Sequence, residues 1–158
     1  MGVMRYSQEN TSPVPPARFY RALIRDAHKL VPKLLPAATK SIEILQRVGG
    51  AHGTILLICF SDGKQAKHRF DAMDDEKYVC RYTLIEGEVL KSGIESIVYE
   101  TKFEALADGG SICKRTVEVN ATLGAEIQEE EIKASNERAE QLYKAVEAYL
   151  LENLTAYA

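Results

Sequence analysis

Residues 107–119, ADGGSICKRTVEV, join a glycine turn to a strand in which apolar and polar side chains alternate. Glycine reaches positive φ at little cost, and a connection this short suits only an antiparallel partner strand. The same alternation, divided by turn signals such as those at residues 61–64, runs from residue 38 to about 121 and predicts six strands. Residues 3–11 are a candidate seventh strand. We therefore predict an antiparallel sheet.

Helical periodicity precedes this sheet. In residues 13–36, apolar side chains recur every three or four positions, and all five prolines of the chain lie in the same segment. Pro15 and Pro16 suit the start of a helix. Pro32 disfavours helical geometry at the residue before it, so we predict two short helices with a bend near residues 26–29.

A long amphipathic helix is predicted after the sheet, over residues 129–153. It begins with three glutamates, which favour the positive end of the helix dipole. Since strands and helices are segregated along the chain, the fold class is α+β, and a curved sheet can wrap the last helix. We predict a single domain over residues 1–158.

Composition excludes several classes of protein. The 158 residues are 46% hydrophobic, and 20 basic against 23 acidic side chains give a net charge of -3, so no specific nucleic-acid partner is expected. The longest apolar run, residues 55–60, is too short to span a membrane. Without an apolar segment near the N-terminus, a cytoplasmic location is the default expectation. Three widely spaced cysteines predict reduced thiols in the core and no metal site.

Polar side chains are predicted on the inner face of the sheet. Alternation places His68, Tyr82 and Tyr99 on the same side of their strands as alanine, leucine, isoleucine and phenylalanine. Hydroxyls and an imidazole among apolar neighbours are typical of a ligand pocket. The alternative is that each tyrosine hydroxyl reaches the surface or a backbone carbonyl.

Arg115 is the most unusual of these predicted inward residues. It shares its strand face with Cys113, Val117 and Val119, and a buried guanidinium without a partner costs several kcal/mol. One hypothesis makes it the anchor of an acidic ligand. The alternatives are a bulge that turns it outward or an internal pair with a glutamate.

Two further features have weak chemical signals. His68 is a candidate acid or base, but the sequence places no nucleophile beside it, so a structural histidine is the alternative. Residues 48–54, VGGAHGT, offer backbone amides to a phosphate. They lie between strands and do not open a helix, so a flexible hairpin at a pocket rim is the favoured interpretation.

Several motifs, taken in order, resemble the plant class-10 pathogenesis-related proteins, the family of the major birch-pollen allergen (Bet v 1-like). They are GV at 2–3, TSPVPPAR at 11–18, PK at 32–33, GG at 49–50, GT at 53–54, YTLIEG at 82–87, GGSI at 109–112, KAS at 133–135 and AVEAYLL at 145–151. The resemblance implies a seven-stranded antiparallel curved sheet wrapped around a long C-terminal helix, with two short helices closing an internal cavity.

The resemblance also implies a function. We expect an intracellular, defence-related carrier of small amphipathic metabolites or hormones, such as flavonoids, cytokinins, sterols or fatty acids, without a cofactor and with monomer as the default state. Some relatives are allergens or hormone-binding proteins. Carried over by position, the cavity wall comprises Leu23, Ile24, Leu56, Ile58, Phe60, His68, Cys80, Tyr82, Leu84, Ile97, Tyr99, Thr101, Arg115, Val117, Val119, Ser135, Arg138, Ala139 and Leu142.

Enzymatic alternatives also follow from the resemblance. A proposed ribonuclease activity of the family corresponds to Glu95, Glu147 and Tyr149, helped by a glycine loop that contains Gly49, Gly50 and Gly53. Other relatives condense alkaloid precursors by acid-base chemistry. The loop here is one residue longer than usual, and two leucines replace the lysines that follow it in the family. These departures weaken both alternatives, and binding is the leading hypothesis.

Overall fold

The protein is built on one seven-stranded sheet. The computed structural model describes residues 2–46, 53–88, 90, 93–122 and 129–158. Its strands are β1 (Gly2–Ser12), β2 (Thr39–Gln46), β3 (Ile55–Phe60), β4 (Gln65–Asp74), β5 (Val79–Glu86), β6 (Ile94–Ala105) and β7 (Ser111–Ala121). They are ordered β1-β7-β6-β5-β4-β3-β2, and each neighbouring pair is antiparallel. The predicted antiparallel sheet is confirmed.

Glycine makes the two predicted hairpin turns possible. Gly63 and Gly109 both have a φ of 92°, in the left-handed region that side chains with a Cβ rarely adopt. Gly110 has a different role, because a Cβ at this position would lie 2.3 Å from the carbonyl oxygen of Ser12. The glycine pair therefore supplies both the turn and the close approach of β7 to β1.

Bulges bend the sheet. The pairing of β4 with β5 shifts register between Phe70 and Ala72, and β2 shifts against β3 between Thr39 and Ser41 and again near its end. A bulge leaves an extra residue in one strand and increases its local bend and twist. The sheet is consequently curved.

In the described part of the chain, three α-helices accompany the sheet, namely α1 (Pro16–Tyr20), α2 (Ala27–Leu34) and α3 (Glu129–Glu152). Pro15 and Pro16 lie at the start of α1, and the chain leaves helical geometry at Asp26, as predicted. The segment between them, Arg21–Arg25, is a π-helical turn that the sequence did not suggest. The long C-terminal helix is confirmed, and none of the described helices is long and apolar enough to cross a membrane.

The two short helices and the bend between them are confirmed, but the predicted local effect of Pro32 on the residue before it was wrong. Pro32 lies inside α2, and the residue before it, Val31, keeps helical geometry. A proline removes one backbone hydrogen bond and crowds the preceding turn. Here Leu30 and Val31 are buried, and their burial outweighs the local preference of the proline.

The core is divided into two clusters. We call the first the helix-end core; it contains Val14, Phe19, Tyr20, Ala22, Leu30, Cys80, Phe103, Cys113, Tyr143, Val146 and Leu150. We call the second the sheet core; it contains Ala66, Leu84, Ile94, Ile97, Val117 and Val119. In the helix-end core the ring of Phe19 stacks on both Phe103 and Tyr143, at centroid distances of 5.2 and 4.6 Å.

The C-terminal end of α3 is fastened to α1 by one side chain. Arg18 donates hydrogen bonds to the carbonyl oxygens of Leu150 and Ala156, each at 2.7 Å, and to that of Asn153. Carbonyls in the last turn of a helix have no partner within the helix, so a guanidinium satisfies them well. This contact fixes α3 to the short helices at the helix-end core.

Candidate functional site

Four polar side chains lie side by side on the inner face of the sheet. We call His68, Tyr82, Tyr99 and Arg115 the inner polar cluster; they come from β4, β5, β6 and β7, which are adjacent strands. Tyr82 stacks on Tyr99 with ring centroids 4.9 Å apart, and His68 lies 5.0 Å from Tyr82 and 5.9 Å from Tyr99. Alternation along each strand brings these residues to one face because the pleat has a period of two.

Arg115 extends the cluster toward α3. Its guanidinium lies 5.4 Å from the centroid of the Tyr99 ring, and Nη1 donates to Gln8 Oε1 at 3.3 Å and to Asn136 Oδ1 at 3.5 Å. Asn136 belongs to α3, so Arg115 spans the space between sheet and helix. Within the described part of the chain, both acceptors are neutral amide oxygens and neither is a carboxylate.

Burial changes the acid-base behaviour of this cluster. It lowers the pKa of His68 to about 4, so the imidazole is neutral near pH 7. Burial raises the pKa of Tyr99 to about 12, with Arg115 opposing the shift, and raises the pKa of Tyr82 as well. All three rings are nevertheless only half-buried. They lie deep enough to lose hydration but still border accessible space.

The facing part of α3 is packed loosely. From residue 132 to residue 142, no residue of this helix is fully buried in the described structure, whereas Tyr143, Val146 and Leu150 are. Ser135, Ala139 and Leu142, all predicted to line the cavity, are half-buried, and Arg138 is exposed. The second half of α3 therefore builds the core, and the first half does not.

The apolar side chains predicted to line the site fall into two groups. Leu56, Ile58, Cys80, Leu84, Ile97, Thr101, Val117 and Val119 are buried. Leu23, Ile24 and Phe60 are half-buried. The buried group lies on the same face of the sheet as the inner polar cluster, because its members are even numbers of residues away from the cluster residues along their strands or pair with such positions. Leu23 and Ile24 pack against the helix-end core.

Thr54 is a residue that the sequence analysis missed. It is 7% exposed, and its Oγ1 has no hydrogen-bond partner among the residues the structure describes. Thr54 precedes β3 and shares the parity of Leu56 and Ile58, which face inward. Continuing the alternation by one step assigns it to the inner face but does not reveal that its hydroxyl is unpaired. An unpaired buried hydroxyl is costly.

Comparisons with known proteins fit this architecture. The model of the pathogenesis-related protein Bet v 1 family matches residues 1–153. The chain belongs to the Bet v 1 family. It is 46% identical to the major strawberry allergen Fra a 1-2 of Fragaria ananassa over 99% of both chains. It is similar to the crystal structure of Ara h 8.0201, with 36% identity, a TM-score of 0.85 and coverage of 96% of this chain and 99% of that one.

A more distant likeness concerns the fold alone. The X-ray structure of norcoclaurine synthase from Thalictrum flavum has a TM-score of 0.80, with 96% of this chain and 88% of that chain covered, but the identity is 20%. An enzyme thus shares the architecture of this Bet v 1 family member. The likeness does not extend to particular residues.

The catalytic candidates taken from the family share no hydrogen bond, ion pair or ring contact among the described residues. Glu95 is exposed at the start of β6, Glu147 is half-buried on α3, and Tyr149 is half-buried with Lys33 Nζ 5.3 Å from its ring centroid. Among the described residues, no contact joins Glu95 to Glu147 or Tyr149. These side chains are not part of the inner polar cluster.

Only part of the glycine loop can be placed. Gly49 and Gly50 lie outside the described residues. Gly53 has a φ of 84°, and its N–H donates to the carbonyl oxygen of Phe70 at 2.7 Å. Within the described ranges, no group of histidine, cysteine, aspartate and glutamate side chains could hold a metal ion.

Proposed function

We propose that this Bet v 1 family member is a binding protein that holds a small amphipathic metabolite between the sheet and the first half of α3. One observation carries the proposal: the inner polar cluster is deep enough to shift the pKa of His68 to about 4, yet its rings keep accessible surface. Side chains that border a hollow combine these two properties. The facing residues 132–142, none of them fully buried, support the same conclusion.

The chemistry of the cluster favours an acidic or phenolic ligand. Arg115 lies on the inner face, and its two acceptors are the amide oxygens of Gln8 and Asn136 at 3.3 and 3.5 Å. Both are long for hydrogen bonds made by a charged donor. A carboxylate or phenolate on a ligand would give the guanidinium the charged partner that it lacks among the described residues.

The walls define the rest of the ligand. Isoleucine, leucine and valine side chains of the sheet core surround the cluster, and Tyr82 and Tyr99 offer stacked rings with hydroxyl groups. Apolar walls with a few convergent polar groups suit a flavonoid, a fatty acid, a sterol or a cytokinin. A cytoplasmic, monomeric carrier with a role in plant defence or hormone binding is part of the proposal and rests on family membership alone.

Acid-base catalysis is less compatible with the cluster. A general base works best with a pKa near the operating pH. Burial holds the pKa of His68 at about 4 and raises the pKa of Tyr82 above its usual value, so neither group exchanges protons readily near pH 7. Binding therefore remains the better supported function.

The hollow can be tested by filling it. Asn136, Ala139 and Tyr143 share one face of α3, since they are three and four residues apart, and Asn136 contacts Arg115. Ala139→Phe should therefore project a ring into the hollow. We expect it to weaken binding of laurate at least about tenfold and to change the free energy of unfolding by less than about 1 kcal/mol.

Ala148→Phe is the matched control, because Ala148 is exposed on the same helix. It should alter neither quantity. A solidly packed interior predicts a different result for Ala139→Phe: overpacking would destabilise the fold by about 1–3 kcal/mol, and laurate would not bind the wild-type protein. Calorimetric titration and urea unfolding measure the two quantities, and that second pattern would remove the proposal.

A further inference from the structure

A pocket of about 580 Å³ lies apart from the inner polar cluster. The π-helical turn Arg21–Arg25, the turn between β4 and β5, and the tail after α3 meet around it. Its aromatic walls are Tyr20, Tyr78 and Tyr157. The volume falls within the range of about 300–1,000 Å³ that is usual for small-molecule sites. The seven residues that line this pocket are not among those proposed to line the carrier cavity.

Unusual backbone geometry converges on this pocket. Tyr78 has a φ of 56° and Tyr157 a φ of 60°, and both are in the left-handed region that is an outlier for a bulky residue. The segment Arg21–Arg25, which also borders the pocket, is a π-helical turn, a rare form found often at functional sites. Such conformations persist where the surrounding structure imposes them, and they cluster at binding sites.

The charges of the pocket are balanced. Arg21 and Arg25 contribute two guanidiniums, and Asp26 and Asp75 contribute two carboxylates. Arg25 Nε lies 3.8 Å from Asp75 Oδ1. An anion attracted by the arginines would be repelled by the aspartates, and the reverse holds for a cation. The pocket therefore favours a ligand without net charge.

Hydrogen-bonding capacity remains after the internal contacts are made. Tyr20 donates its hydroxyl to Asp75 Oδ1 at 2.8 Å, and Tyr157 donates its hydroxyl to Asp26 Oδ2 at 2.5 Å. Arg21 Nη1 donates to the backbone carbonyl of Tyr157 at 3.2 Å. A guanidinium has five N–H donors and a carboxylate about four acceptor positions, so each group can still bind a ligand.

We propose that this pocket is a second binding site, for a neutral polyhydroxylated ligand such as a sugar or the glycosyl part of a larger molecule. A hydroxyl both donates and accepts, so neighbouring hydroxyls can bridge an aspartate and an arginine at once. The C–H face of a sugar ring can pack on a tyrosine ring. The mixture of donors, acceptors and aromatic walls matches this chemistry better than it matches a charged ligand.

Titration with sucrose, followed by amide chemical shifts in NMR spectra, tests the proposal. We expect saturable shifts at residues 20–26, 75–78 and 157, and weaker saturation by about two- to tenfold in Arg25→Gln and in Asp75→Asn. Arg81→Gln is the matched control, since Arg81 is an exposed arginine of β5 outside the pocket. It should bind sucrose like the wild type.

Four results would overturn the proposal, the last of them a displacement of sucrose by laurate. The first is the absence of saturable shifts with sucrose. The second is tighter saturation of the same amides by sulfate or by glycine, which would make the ligand an anion or a zwitterion. The third is an equal effect of Arg25→Gln and Arg81→Gln. Protein presaturated with laurate should give an unchanged sucrose titration, and displacement of sucrose by laurate would contradict a separate site.

Discussion

Removing the charge of Arg115 should lower the affinity for an acidic ligand and leave unchanged the affinity for a matched ligand without the acidic group. The guanidinium has two neutral acceptors, at 3.3 and 3.5 Å, and lies 5.4 Å from the centroid of the Tyr99 ring. A hydrogen bond to a charged group contributes about 1.5–3 kcal/mol in a partly buried setting. Arg115→Leu should therefore weaken an acidic ligand by roughly ten- to 150-fold.

Laurate and 1-dodecanol form the appropriate probe pair, because they share a chain length and differ in the carboxylate. Calorimetric titration near pH 7 should show the predicted loss for laurate in Arg115→Leu. The alcohol should bind the variant within about threefold of the wild type, since its contacts with the apolar walls are kept. Arg81 is an exposed arginine of β5 that directly precedes Tyr82 and therefore points to the other face of the sheet. Arg81→Leu should leave both affinities unchanged.

Two outcomes would refute the assignment of Arg115. Equal laurate affinity in wild type and Arg115→Leu would show that the guanidinium does not contact the carboxylate. An equal loss for laurate and the alcohol would indicate that the substitution disturbs the hollow and not a charged contact. Urea unfolding of the variant distinguishes the second case from general destabilisation.

Burial holds the pKa of His68 at about 4, below the value of 6.5 expected in the unfolded chain, so the unfolded chain takes up the proton first as pH falls. Stability should therefore fall by up to about 3 kcal/mol between pH 6.5 and pH 4 and fall less in His68→Phe; an imidazole pKa near 6.5 by NMR would contradict this. Burial also raises the pKa of Cys80 and of Cys113 to about 12. Iodoacetamide should thus label the half-buried Cys59 first and reach the other two only on unfolding, as mass spectrometry can show. Gly110→Ala should cost about 1–3 kcal/mol in urea unfolding, because its Cβ would lie 2.3 Å from a backbone carbonyl oxygen of β1, and unchanged stability would disprove that contact.

The sheet could be predicted because a strand's alternation fixes the face of every side chain. Arg115 illustrates this: its parity with Cys113 and Val117 predicted an inward guanidinium, and the structure places it over Tyr99. Hydrophobic periodicity and turn signals predicted the order of elements, and the family motifs agreed with it. The alternation also contained Thr54, but a small hydroxyl residue just before a strand gives little signal without its buried environment.

Other features depended on contacts that local patterns do not encode. Val31 keeps helical geometry before Pro32 because tertiary burial outweighs the proline's preference. The pocket beside the π-helical turn depends on Tyr157, whose hydroxyl donates to Asp26, 131 residues earlier in the chain. No periodicity relates positions so far apart. Sequence analysis therefore predicted the layers of the fold and missed the place where the tail returns to the short helices.

The division of the core is compatible with the proposed hollow between the sheet and the first half of α3. A hollow lowers the free energy of unfolding, because the side chains that line it lose dispersion contacts. The helix-end core offsets that loss: Phe19 stacks between Phe103 and Tyr143, and Arg18 ties the end of α3 to α1. Because α3 is secured by its second half, its first half can stand over the inner polar cluster without packing tightly on it. Substitutions in the helix-end core should consequently lower stability more than affinity, and substitutions in the cluster should do the reverse.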